Sequence, residues 1–166
     1  LMARAANIRR SRVHEELVQS LAGEKGVLMP NSGKKMFPTL RELLSFCAML
    51  GFSDKRRKKL DPAHGYEDIS GTQYEHSEAI EILWAIAVAE VGSTDILKDG
   101  RERDAADIFE EYANGGLEII SSWILNNPTV QPYQAIIDGL EEYNFISLSE
   151  NIGQNGTADE INFNAV

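Results

Sequence analysis

A single cysteine, Cys47, in a chain of 166 residues excludes an intrachain disulfide and a thiolate zinc site built within one chain. The three histidines, His14, His64 and His76, are scattered and show no metal-ligand spacing. No apolar run approaches the ~20 residues that span a bilayer. The first residues are basic, but no apolar stretch follows them, so a secretory signal is not expected. A reducing, cytoplasmic setting suits the lone thiol. The sequence also lacks the phosphate-cradling glycine loops, the H-E-x-x-H zinc helix and the G-x-S-x-G nucleophile turn. The expectation is therefore of a protein that is not an enzyme, with no metal and no cofactor.

Cations are scarce over most of the chain. Residues 61–166 hold 3 Lys or Arg against 21 Asp or Glu, a balance of −18. Residues 1–60 hold 13 against 5, a balance of +8. The formal total of −10 thus conceals a basic first part and an acidic remainder. Such an asymmetry fits a basic binding surface carried on an acidic body. It equally fits two halves that neutralise one another, within the fold or across an oligomer contact.

The length suits one domain with its own core. Hydrophobic periodicity predicts an all-α fold of about five helices, with short extended pieces near Ile8 and within residues 66–74. The division expected is a basic arm at 1–12, a helical domain at 13–147 and a polar, poorly ordered tail at 148–166. A first helix is expected over Val13–Ala22, with Val13, Leu17, Val18 and Leu21 inward and Gly23 as its stop. The stretch 24–36, with Gly26, Pro30 and Gly33, reads as a loop. Thr39 and Glu42 form a capping box for a second helix, for which Gly51 supplies a C-terminal stop. Ser77 is expected to cap a third helix ending at Val91, apolar on nearly every side and so the central one. Asp99, with Glu102 three residues on, is expected to cap a fourth that closes at Asn126-Asn127-Pro128. Pro132 opens a last helix to about residue 143, with Ile136, Ile137, Leu140 and Tyr143 inward.

The fourth helix carries the chain's sharpest local contradiction, the pair Gly115-Gly116 in its middle. Each costs about 1 kcal/mol against Ala inside a helix. Close approach of another backbone, or a kink, would offset that cost. Cys47, in the apolar second helix, reads as a small core residue.

Two sets of side chains could carry function. The first is basic: Arg9, Arg10 and Arg12 with Arg4 in the arm, Lys34 and Lys35 in the loop, and the run Lys55-Arg56-Arg57-Lys58-Lys59. Clustered cations of this kind can neutralise nucleic-acid phosphates, although no reading helix for base-specific contact is evident. The second is acidic: Asp104, Asp107 and Glu111 share one helix face at i, i+3 and i+7. Carboxylates so placed could hold a hard divalent cation, which would suit a metal-dependent nuclease. A solvated helix face is the stronger reading of them.

Two stretches carry a family resemblance. They are Phe109-Glu110-Glu111-Tyr112-Ala113-Asn114-Gly115-Gly116-Leu117-Glu118-Ile119 and Phe37–Phe52 with Lys55-Arg56-Arg57 after it. Over roughly residues 10–145 the chain resembles the DNA phosphorothioation-associated (Dnd system-associated) protein 4 family. Such proteins are encoded beside bacterial genes that replace a non-bridging phosphate oxygen of DNA with sulfur, and beside the linked restriction functions. The resemblance implies a cytoplasmic role in defence against foreign DNA, with other components of that system as partners. It supplies no catalytic residues. It gives Gly115 and Gly116 a second explanation, close approach of a partner. The resulting expectation is a non-catalytic accessory protein that contacts DNA, or a DNA-bound partner, through its basic N-terminal half. The rival is a protein-interaction subunit or homo-oligomer without DNA contact, and the weakest alternative is the nuclease.

Overall fold

The computed structural model describes residues 4–146. Strand β1 (Ile8–Ser11) leads through a 3-10 turn into α1 (Glu15–Leu21), and a loop connects to α2 (Leu40–Ser53). Strand β2 (Tyr66–Ile69) and the five-residue α3 (Gly71–Glu75) follow. Then come α4 (Ala79–Val91), α5 (Glu102–Asn126) and α6 (Pro132–Glu142). Among the described residues the fold is mostly helical, with five helices of seven or more residues and one small antiparallel sheet pairing Ile8 with Ile69 and Ser11 with Tyr66. The expected tail at 148–166 lies outside the described residues. From Ile8 on, the segment read as a basic arm is a strand with Ile8, Arg10 and Ser11 buried.

The centre of the molecule is α5, not the apolar α4. α5 has 25 residues and is about 38 Å long. It is buried nearly all round between Ala105 and Ile120, against α2, α4, α6 and β1. Phe109, Leu117, Ile119 and Ile120 are almost wholly removed from water, each contributing about 1.5–3 kcal/mol. On α4, by contrast, Ala85, Ala89 and Val91 are exposed.

The glycines explain how α2 and α5 meet. A Cβ on Gly116 would lie 1.9 Å from the Cys47 carbonyl oxygen, and one on Gly115 would lie 1.9 Å from that of Arg56. From the other side, a Cβ on Gly51 would lie 2.1 Å from the Tyr112 carbonyl oxygen. The helix-propensity cost of the pair is thus offset by backbone-to-backbone packing within the chain. Gly51 therefore does not stop its helix. It lies inside α2, which runs on to Ser53.

Other expected boundaries also shift. The Thr39–Glu42 capping box forms, with both reciprocal hydrogen bonds. Asp99 does not cap α5: Gly100 takes φ +88°, a left-handed conformation that cannot start a helix from Asp99, and the N-cap is Arg101. Ser77 gives its hydroxyl proton to the Tyr74 carbonyl at the end of α3, so α4 begins at Ala79 after Glu78. Val13 sits in the 3-10 turn and is exposed. On α6 the buried side is Ala135, Ile136 and Gly139, with Ile137 only half-buried. Tyr143 is 38% exposed, its ring edge-on to Trp123.

Candidate functional site

The basic and acidic parts of the sequence meet along α5, and the meeting line contains Arg9, Arg57, Lys58, Asp107 and Glu111 of the charged groups singled out above. Its innermost member is Glu110, only 2% exposed. Antiparallel pairing with β2 holds β1 against α5, so the Arg9 backbone N–H donates to Glu110 Oε1 at 2.7 Å. The Arg9 guanidinium reaches both Glu110 (3.1 Å) and Asp107 (2.9 Å). From one helical turn and two turns back on α5, Arg103 donates to Asp107 at 2.8 Å and to Glu110, and also to the Asn7 carbonyl at 2.8 Å. Glu110 thus has two guanidinium partners and a backbone donor, the condition under which a buried carboxylate is tolerated. Its hydrogen bonds hold the Arg9 pKa above the ordinary arginine value.

A second node lies where the chain leaves α2. The Lys58 backbone N–H donates to the Glu111 carbonyl at 3.0 Å, and Asn114 Nδ2 donates to the Lys58 and Lys59 carbonyls at 3.2 and 3.3 Å. These bonds lay the basic run across α5. There Arg57 pairs with Glu111 and, at 2.7 Å, with Glu90, while Lys58 pairs with Glu118. The Tyr112 hydroxyl donates to Glu90 at 2.5 Å. That bond, followed by Arg57, holds the Glu90 pKa below the ordinary carboxylate value. Burial, then the Glu90 carboxylate, pushes the Tyr112 phenol up to about 12.

The remaining cations divide. Arg10 is buried and donates to Glu15 at 2.5 Å, Arg12 pairs with Glu67 at 2.8 Å, and Arg56 pairs with Asp54 at 3.4 Å. Lys35 donates to the Gly23 carbonyl. Lys34, Lys35, Lys55 and Lys59 make no ion pair among the described residues. The two lysine pairs flank opposite ends of α2, whose 14 residues extend about 21 Å. The ten basic residues are therefore not one patch.

The acidic trio is also dispersed among partners. Asp104 pairs with Arg101, Asp107 with Arg9 and Arg103, and Glu111 with Arg57. Among the described residues, no three His, Cys, Asp or Glu side chains come together to hold a metal ion. A crevice beside Glu110, lined by Arg10, Ser11 and Asn114 among others, is too narrow for a water molecule. Burial raises the Cys47 thiol well above its ordinary range, in keeping with a core residue. No described helix is long and apolar enough to cross a membrane.

Sequence reasoning singled out Arg9, Arg57, Lys58, Asp107 and Glu111 but not Glu110, Glu118, Arg103 or Glu90, the last two of which each join two parts of the seam. Their only sequence signal is local: Arg103 stands four residues before Asp107, and Glu90 is one of two acids in an apolar helix.

Fold and site together define a helical module whose basic N-terminal part is folded onto its own acidic helix. The particular family follows from the sequence as a whole: residues 7–151 match the model of DNA sulphur modification system-associated protein 4, and the chain belongs to that family. It is thus an accessory of a DNA sulphur modification system, with the other components of that system as its associates. No curated protein and no solved structure matches the chain.

Proposed function

We propose that the protein is a non-catalytic accessory subunit that docks on another protein of a DNA phosphorothioation system or its linked restriction machinery. In this reading it reaches DNA through that partner. The observation that carries it is the use of the basic half: Arg9, Arg10, Arg12, Arg56, Arg57 and Lys58 are all engaged by the chain's own carboxylates. A phosphate backbone would have to displace those carboxylates, and a chain of net charge −10 repels it at longer range. The test is co-expression of a tagged chain with the other components of its system and purification at two salt concentrations. A stoichiometric complex with an identified component, surviving nuclease treatment, is expected. Recovery of a component only while DNA is intact would contradict protein docking.

A second reading, direct DNA contact, is favoured by Lys34, Lys35, Lys55 and Lys59, which make no ion pair among the described residues. In that reading replacing all four by Ala abolishes duplex binding while the fold persists. Nothing in the site's geometry favours the nuclease.

A further inference from the structure

α4 has the composition of a buried helix and the position of a surface one. Of its 13 residues only Glu81 and Glu90 are charged, and Glu90 is taken by Arg57 and Tyr112. A helix apolar on every side belongs in an interior. Yet Glu81, Ala85 and Ala89, at i, i+4 and i+8, face away from the buried set Ala79, Ile80, Leu83, Ile86 and Ala87, and Ile82, Trp84 and Val88 flank them with one side against the core. Ala85 and Ala89 on that side are exposed, while Ile82, Trp84 and Val88 are half-buried.

Two features make this a shaped surface. The small side chains of Ala85 and Ala89 form a shallow row between Ile82 and Val88, the relief into which a second helix packs its ridges. Trp84 is held in place: its Nε1 donates to the Arg4 carbonyl at 3.1 Å, so the indole needs no further polar partner and offers an ordered apolar anchor.

Charge selects the occupant. Glu78 and Glu81 are exposed at one end of the face and have no ion pair among the described residues, unlike the α5 carboxylates just discussed. A second copy would bring another net charge of −10 against them. We propose that this face of α4 receives an amphipathic helix of a partner protein, apolar at i, i+3, i+4 and i+7 and bearing a Lys or Arg that meets Glu78 and Glu81. This rests on the protein-docking reading and specifies its surface and the chemistry of its partner.

The test places the photo-crosslinking residue benzoylphenylalanine at position 85 or 89, with position 138 on α6 as the control, in cells expressing the complete sulphur modification system. Cross-linked segments are identified by mass spectrometry. The expected result is one helical segment of another protein, containing at least one Lys or Arg, captured from positions 85 and 89 and not from 138. Glu78→Lys with Glu81→Lys should reduce that capture at least tenfold, and reversing the partner's cation to Glu should restore it. Capture of a second copy, capture of this chain's own residues 147–166, or no capture would overturn the proposal. So would a cross-link indifferent to the charge reversal. If a component co-purifies but α4 captures nothing, docking stands and only its placement fails. If no component co-purifies, the docking reading itself has failed.

Discussion

Gly116 and Glu90 show how single residues decide this fold. An Ala at position 116 gains about 1 kcal/mol in helix propensity over Gly. Its Cβ, however, would stand 1.9 Å from the Cys47 carbonyl, and the clash is with backbone that no rotamer change can relieve. Gly116→Ala should therefore destabilise the protein by about 3 kcal/mol or prevent folding, as a urea titration would show. Stabilisation would mean that α2 and α5 are further apart than described. Glu90 makes the acid limb of stability predictable. Its folded pKa is depressed by Tyr112 and Arg57, so its contribution is present above the unfolded value and is lost as pH falls through the folded one. Melting temperature should fall as pH drops below the ordinary carboxylate range and through the depressed folded value of Glu90. Tyr112→Phe should move that fall to higher pH, and an unchanged profile would remove Glu90 from the account.

At the scale of elements, the capping box is the best test of local specification. Thr39 and Glu42 make both reciprocal bonds, so Thr39→Ala should cost about 1 kcal/mol, measurable as a lower melting temperature without change in the native circular dichroism. The box was legible in the sequence because its partners lie three residues apart, and the helices over 40–53, 79–91, 102–126 and 132–142 were legible from apolar spacing. What was not legible depends on distant groups. Gly51 looks like a helix stop until the Tyr112 carbonyl is seen against it. Helix α3 has five residues, begins at a glycine and carries only one buried large side chain, Tyr74, so periodicity had nothing to detect. The apolar α4 suggested the centre, because composition records how much of a helix avoids water but not what covers it. For the site, the residue types were visible and the pairing was not. Arg9 reaches Asp107 and Glu110 across about a hundred positions, which no spacing rule encodes.

For the whole molecule, the governing fact is that two oppositely charged parts of the sequence are folded against each other. The first 60 residues balance at +8 and the remainder at −18, and α5 is the seam on which they meet. The fold engages six of the ten cations that the sequence offers for phosphate, Arg9, Arg10, Arg12, Arg56, Arg57 and Lys58, with the chain's own carboxylates, and the chain as a whole carries a net charge of −10. This makes a protein partner, rather than the duplex, the reading that the charge distribution supports. The most direct test is fluorescence anisotropy of a short duplex, plain and phosphorothioated, titrated with the protein at several salt concentrations. The account predicts no saturable binding of either duplex at low-micromolar protein, even at the lowest salt. Saturable binding that weakens steeply with salt, and is lost when Lys34, Lys35, Lys55 and Lys59 are replaced by Ala, would contradict it and establish direct phosphate contact.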